Sequence, residues 1–317
     1  MNELINISEY PVKDVLKILL KDKTTERNII WATDIYAKYG DQYTDKNQIT
    51  MDALLGQDNV QIVPRISKAL EEQKLRTRQK AEVMTPVWLC NTMNNYLDKE
   101  WFGRTGVFNT ENADHTWTKS AEPIPFDKTH SWRKYVDSRR LEITCGEAPY
   151  LVSRYDTTTG ELIEPPDIRI GLLDRKLRVV NENTSTEAEW LKWAERSVQS
   201  CYGYEYQGDN LLIARVNVYL SFYEYYKDRW QKEPDLKILK RIANVISWNI
   251  WQMDGLKDCV PLGKPIEVFE QTDLFSLFPD AMGEDENAED RGDAAPLCRI
   301  YNWRSNESKL FKEYKEG

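Results

Sequence analysis

Three observations on this 317-residue sequence predict an α/β fold: an open, mostly parallel sheet with flanking helices, preceded by a helical N-terminal region. From about residue 138 short β-like runs alternate with helical ones, the order that yields parallel strands joined by crossover helices. Ahead of that point the apolar residues recur at helical spacing. The hydrophobic content of 41% is enough for a sizeable core, and the length corresponds to about two domain-lengths.

Residues 1–75 read as helical, with Val12, Val15, Leu16 and Leu19 at i, i+3, i+4 and i+7 on one buried face. The stretch Arg65–Lys80 sets Arg65, Lys68, Lys74, Arg76, Arg78 and Lys80 against Glu71 and Glu72. Such a basic run reads either as a solvated helix face or as a contact for nucleic acid or an acidic partner. Thr85-Pro86 opens a helix over Val87–Leu97, with Pro86 suited to the first turn and Thr85 to the cap.

Strands are expected at Arg140–Thr144, Asp167–Leu173, Cys201–Glu205 and Asn249–Met253. Between them lies a helix opened by the capping box Thr186-Glu187-Ala188-Glu189, with Leu191, Ala194 and Val198 on its inner face. Two more helices are expected at about 209–227 and 235–248, and no internal repeat is visible. Gly283–Asp293 carries six acidic residues and one basic, a net −5, and reads as a solvated loop. The expected division is a helical region (1–75), an α/β core (76–275) and an acidic loop with a C-terminal segment (276–317).

The charge balance, 43 basic against 52 acidic residues and hence −9, excludes a chain that grips a phosphate backbone with its whole surface. A local basic stripe remains compatible with it. The start lacks a basic region backed by an apolar stretch, and no run reaches the ~18 apolar residues of a spanning helix, so a cytoplasmic chain with no membrane association is expected. Cys90, Cys145, Cys201, Cys259 and Cys298 are odd in number and scattered, and read as reduced thiols. With only His115 and His130 present, neither a His-rich metal centre nor a Ser-His-Asp hydrolase is expected. Eleven Trp and 17 Tyr point to a core and a binding surface rich in large flat side chains.

Four short pieces, in order, have the chemistry of one pocket. They are Glu82-Val83-Met84-Thr85-Pro86, Leu141–Leu151 with its Glu142-Ile143-Thr144-Cys145-Gly146 turn, Gly203-Tyr204-Glu205, and Asn249–Leu256 with Asp254. In an open α/β sheet a ligand lies beyond the carboxyl ends of the strands, and a glycine at the first turn lets the backbone approach it. A carboxylate at the next strand end, Glu205, can accept both hydroxyls of a ribose, and Asp254 is able to accept from an adenine amino group.

This series resembles the S-adenosylmethionine-dependent amino-methyltransferases of restriction–modification systems, in particular the N6-adenine DNA methyltransferases of the Type I and Type IIG kinds. The resemblance covers about residues 75–257 and implies a Rossmann-like methyltransferase core. Lys80–Pro86 is similar to the family's Gly-Glu-aromatic-aromatic-Thr-Pro segment, and Glu142–Ala148 to its Asp-Pro-x-Cys-Gly-Ser-Gly loop. By that resemblance Thr85, Pro86, Cys145 and Gly146 surround the cofactor's methionine, in a strand and loop that also carry Glu142, Thr144 and Tyr150. Glu205 holds the ribose, Asp254 the adenine, and Tyr206 or Trp251 covers the ring. Asp174 ends another strand-like run and is the second candidate for the ribose; Glu205 is preferred for its Gly-x-Glu spacing.

Departures accompany the matches. Ala81 stands for a glycine, Met84 for an aromatic, and Glu142, Ile143 and Ala148 for the loop's Asp, Pro and second Gly. An extra segment, about Arg154–Ser200, separates the first two pieces of the core. After Asp254 there is no Asn-Pro-Pro-aromatic, the family's catalytic loop that holds a flipped base. Glu164-Pro165-Pro166-Asp167 reads as a loop, and Ile300-Tyr301-Asn302-Trp303 as a strand without the prolines. Three readings follow: the cofactor-binding subunit of a split methyltransferase whose partner supplies the catalytic loop and target recognition and reaches DNA through the complex; a non-catalytic scaffold; or another enzyme on the same fold. The basic runs Arg65–Lys80 and Trp132–Arg140 are candidate contacts to DNA or to the partner.

Overall fold

The computed structural model of the chain describes residues 4–57, 59–80, 84–266 and 294–315. The acidic run Gly283–Asp293 and residues 81–83 of the first candidate piece lie outside the described residues.

The N-terminal segment is built mostly of turns, with short helices α1 (Leu16–Leu19), α2 (Met51–Leu55) and α3 (Leu70–Lys80). Thr50 caps α2 by accepting from the Ala53 amide. The expected apolar face is buried, with Val12, Val15, Leu16 and Leu19 at most 1% exposed, but only its last part is α-helical. After Pro11 the chain advances through i→i+3 bonds, Val15 N–H to Val12 O and Ile18 N–H to Val15 O, before one helical turn closes. Burial of this face comes from tertiary packing, which does not need a continuous helix.

Helix α4 runs Val87–Phe102 and ends on Gly103 at φ +67°, a left-handed cap. Its start differs from the expectation: Pro86 is the N-cap itself, and the Asp156 carboxylate accepts from the Val87 amide at 3.1 Å, so Thr85 does not cap. An antiparallel hairpin, β1 (Asn109–Glu111) and β2 (Trp117–Lys119), and α5 (Trp132–Asp137) lead to β3 (Arg140–Ile143).

The expected strand Asp167–Leu173 is not a strand. Pro166–Ile168 forms a 3-10 turn, and α6 (Leu172–Asn183) begins directly after Gly171. Asp174 therefore lies in the first turn of a helix, where negative charge is favourable. Next come α7 (Glu187–Gln199), with Thr186 accepting from the Glu189 amide, β4 (Cys201–Glu205), α8 (Gly208–Trp230), α9 (Leu236–Asn249) and β5 (Ile250–Gln252). These match the expected elements to within a few residues.

The chain is thus mixed α/β. Strands β3, β4 and β5 form one parallel sheet in the order β3-β4-β5, with Arg140 opposite Cys201 and Gly203 opposite Ile250. Among the described residues three two-stranded sheets accompany it: β1-β2; β6 (Lys264–Ile266) parallel to β7 (Ala294–Pro296); and β8 (Arg299–Asn302) antiparallel to β9 (Glu307–Leu310).

One apolar cluster runs from Ile5 to Ile250 and includes Trp31, Trp190 and Tyr219, so the N-terminal turns share the core of the sheet. Arg215, fully buried on α8, ties the two together by donating to Lys21 O at 2.9 Å and Ile250 O at 2.7 Å. The other face of the sheet packs Tyr202, Tyr204, Trp251 and Met253 against Ile300 and Phe311. On the β5 side the edge is closed: Gln252 accepts from Ile30 N–H at 2.9 Å and donates to Ile30 O at 2.8 Å. No helix among the described residues is long and apolar enough to cross a membrane.

Candidate functional site

The site is the loop that follows β3, at the carboxyl end of the parallel sheet where ligands bind in open α/β folds. Thr144, Gly146 and Ala148 alternate in the left-handed region, at φ +48°, +53° and +65°. Gly146 tolerates this freely, whereas for Thr144 and Ala148 it costs about 1–2 kcal/mol each. Strain of this kind persists only where surrounding structure holds it.

What holds it is visible beneath the loop. The buried Glu142 carboxylate accepts from the Leu151 amide at 3.0 Å and the Tyr150 amide at 3.3 Å. Cys145 N–H donates to Tyr204 O at 2.8 Å, and Gly146 N–H to the Glu205 carboxylate at 3.0 Å. Glu205 also accepts from the Gln207 amide at 3.2 Å. Gly203 makes room: a Cβ there would lie 3.2 Å from Cys145 Cβ and Sγ, so the loop's cysteine sits directly on the glycine of Gly-x-Glu.

Burial dominates the electrostatics. It pushes the Glu142 carboxyl up to about 8 and Glu205 up to about 7, with the amide donors only partly opposing it. The Cys145 thiol is raised well above its ordinary value by burial and by the two nearby carboxyls, which makes it an inert packing group.

The other sequence pieces gather around this loop. Met84 packs on Gly146, with its Sδ 3.9 Å from where a Cβ would stand. The Tyr150 phenol lies beside Thr85, whose carbonyl accepts from Thr157 Oγ1 at 2.9 Å, and Pro86 follows as the cap of α4. Tyr206, next to Glu205, is half-buried, and its phenol is raised first by burial and then by the charge of Asp254. Asp254 closes the turn after β5 by accepting from the Leu256 amide at 3.0 Å.

A chain of neighbours therefore runs Thr85–Tyr150, Gly146–Glu205–Tyr206–Asp254 at one end of the sheet. Thr85, Pro86, Gly146, Tyr150, Tyr206 and Asp254 are half-buried and Thr144 is exposed, so they form a rim; Glu142, Cys145 and Glu205 lie beneath it.

Other expectations are corrected. Asp174 is not at a strand end: it is fully buried, bonded to the Ser153 amide at 2.8 Å and the Gly171 amide at 3.1 Å. Trp251 is 1% exposed and packs on Tyr204 and Phe311, a core aromatic and not a cover for a ring. Within Arg65–Lys80, Lys68 and Arg76 are neither a solvated face nor a contact for DNA: both are buried against Asp209, at 3.2 and 2.8 Å. The strand expected at Ile300–Trp303 is present as β8 (Arg299–Asn302), paired with β9 outside the parallel sheet.

Sequence reasoning also passed over Glu147 and Tyr155, which brace the loop. Glu147 accepts from Tyr155 Oη at 2.7 Å and from the Arg65 amide at 2.6 Å, and Asn217 bonds Glu147 O at 3.0 Å. Asn217 on the helix after Gly-x-Glu was the available signal for this support. A scan against protein-family models and searches of curated proteins and of solved structures found no match to this chain.

Proposed function

We propose that this chain is the S-adenosylmethionine-binding subunit of a split DNA N6-adenine methyltransferase of a restriction–modification system. A partner chain supplies the Asn-Pro-Pro-aromatic loop and target recognition, and DNA is engaged through the complex in the cytoplasm. The observation that carries this reading is Ala148. It stands where the family's loop has its second glycine, yet it keeps the left-handed conformation, φ +65°, that a glycine there would adopt. A loop that retains a costly backbone shape after losing the residue that made it cheap supports selection for the shape itself.

The sheet supports the same reading. Three parallel strands with the second in the middle have the order of one half of a doubly wound sheet, and the ligand crevice of a sheet of that kind lies beside its first strand, which would be β3. The rim suits the cofactor. Thr85, Pro86, Gly146 and Tyr150 offer hydroxyl and backbone groups to its amino-acid end, Glu205 and Asp254 are the carboxylates for ribose and adenine, and Tyr206 is the flat side chain for the ring. The cofactor brings an electrophilic methyl group. This chain's residues bind and orient it, which is where proximity effects arise.

One observation favours the second reading, a non-catalytic scaffold. The Glu205 carboxylate is already engaged by the Gly146 and Gln207 amides and is 7% exposed. Calorimetric titration of S-adenosylmethionine into the chain, and into its complex with the partner, decides between the two. Binding that weakens about tenfold or more in Glu205→Ala and Asp254→Ala upholds the subunit reading, and absence of binding in the assembled complex leaves the scaffold.

A further inference from the structure

We infer that the open edge of β3 is a docking edge for a β-strand of the partner chain, a strand that is apolar where it faces Leu141 and Ile143 and acidic beside Arg139 and Arg140. The identity of that partner rests on the split-methyltransferase reading; the docking edge itself rests on geometry. Arg140 N–H donates inward to Ser200 O, so in the parallel ladder the backbone groups of Leu141 and Ile143 point to the open side. Among the described residues no strand lies there, in contrast to the β5 edge, which Gln252 and Ile30 close.

The side chains agree with the backbone. Leu141 is 42% exposed and Ile143 65%, on the same face as the buried Tyr202 and Tyr204 of the neighbouring strand. Natural sheet edges are usually covered or blunted, and an apolar uncovered edge marks an interaction site. The adjoining groove contains Arg139 and Arg140 and no acidic residue, and Arg140 has no ion-pair partner among the described residues. That charge selects the occupant. A second copy pairing its own β3 against this edge would bring the same two arginines and no exposed carboxylate from that strand, because Glu142, the acidic residue of β3, is buried. A strand flanked by Asp or Glu supplies what the groove lacks, and strand addition to a sheet edge is an established mode of recognition.

The test uses the full chain and a fluorescent synthetic peptide, Glu-Asp-Val-Ile-Val-Gly-Asn-Pro-Pro-Tyr. Anisotropy measures binding, and amide exchange is read at Leu141 and Ile143. The expected result is binding that slows exchange at these two amides and weakens about tenfold in Ile143→Pro, which removes an outward-facing donor while leaving the inward ladder intact. Arg140→Glu weakens binding as well, and a peptide with Lys-Lys in place of Glu-Asp restores it; this second variant keeps the test decisive if Ile143→Pro misfolds. Equal binding of a scrambled peptide, unchanged exchange at Leu141 and Ile143, or protection of both by self-association of the free chain would overturn the inference. S-adenosylmethionine binding is measured on the same samples. Docking without cofactor binding removes the methyltransferase reading and keeps the edge, whereas cofactor binding without docking removes the edge alone.

Discussion

Asp209 and Glu205 are four residues apart and both buried, yet the protein treats their carboxyls in opposite ways. Burial alone would raise Asp209, but Lys68 and Arg76 outweigh it and, with Tyr36 donating at 3.0 Å, hold the group well below the usual carboxylate range. Glu205 and its neighbour Glu142 meet backbone amides in place of cations and are raised to about 7 and 8. A carboxylate clamped by two cations fastens α3 to α8. A carboxyl held by amides shapes a loop and keeps a proton near neutral pH, so the first kind is structural and the second lies in the candidate site.

The largest expected effect breaks the structural side of this comparison. Asp209→Ala leaves Lys68 and Arg76 buried without a counter-charge and lowers stability by about 3–5 kcal/mol, read as a shift in urea-unfolding free energy. A loss below about 1 kcal/mol would mean the cluster is not the clamp described.

The next effect concerns pH. Because the folded values of Glu142 and Glu205 lie above the ordinary 4.5, the folded chain binds more protons than the unfolded chain between about pH 4.5 and 8. Their contribution is therefore complete below pH 4.5 and is lost progressively as pH rises through 7 and 8. Urea midpoints at pH 5.5, 7 and 9 should fall in that order; a flat profile would remove the proton-holding assignment. Asp209 has the opposite sign and loses its contribution only in acid.

Glu142→Gln sharpens the contrast further. Its amide oxygen retains one of the two loop bonds, so about 1 kcal/mol is lost at pH 6, while the alkaline slope becomes shallower. An unchanged slope in this variant would assign the slope to other groups. Thr144→Gly gives the smallest effect. Thr144 is exposed at φ +48°, so relief of the left-handed strain outweighs the glycine's entropy and raises stability by about 0.5 kcal/mol. A destabilised variant would show that the loop is not strained there.

Much of the fold was legible because periodicity survives packing. The short, fully buried β4, the capped α7 and the 3.6-periodic α9 are elements whose sequence and environment agree. Asp167–Leu173 misled because Ile168, Ile170 and Leu172 alternate as in a strand, while Gly171 and the charged run Asp174-Arg175-Lys176 concealed a helix that buries its charges. The buried Arg175 pairs with Asp98 from α4, a partner 77 positions away that no local pattern announces. Lys68 and Arg76 within the basic run at Arg65–Lys80 misled for the same reason: their counter-charge, Asp209, is more than a hundred residues distant.

By itself, the sequence determined the residue types of the candidate site, their order along the chain, and the absence of an Asn-Pro-Pro-aromatic after Asp254, since these are properties of the covalent chain. Only the tertiary structure decided which carboxyls are clamped and which hold protons, that Ala148 adopts a left-handed conformation, and that β3 has an open edge among the described residues while β5 has a closed one. Those outcomes depend on contacts between residues far apart in sequence, where burial, distance and counter-charge set the energy and local spacing carries no record of them.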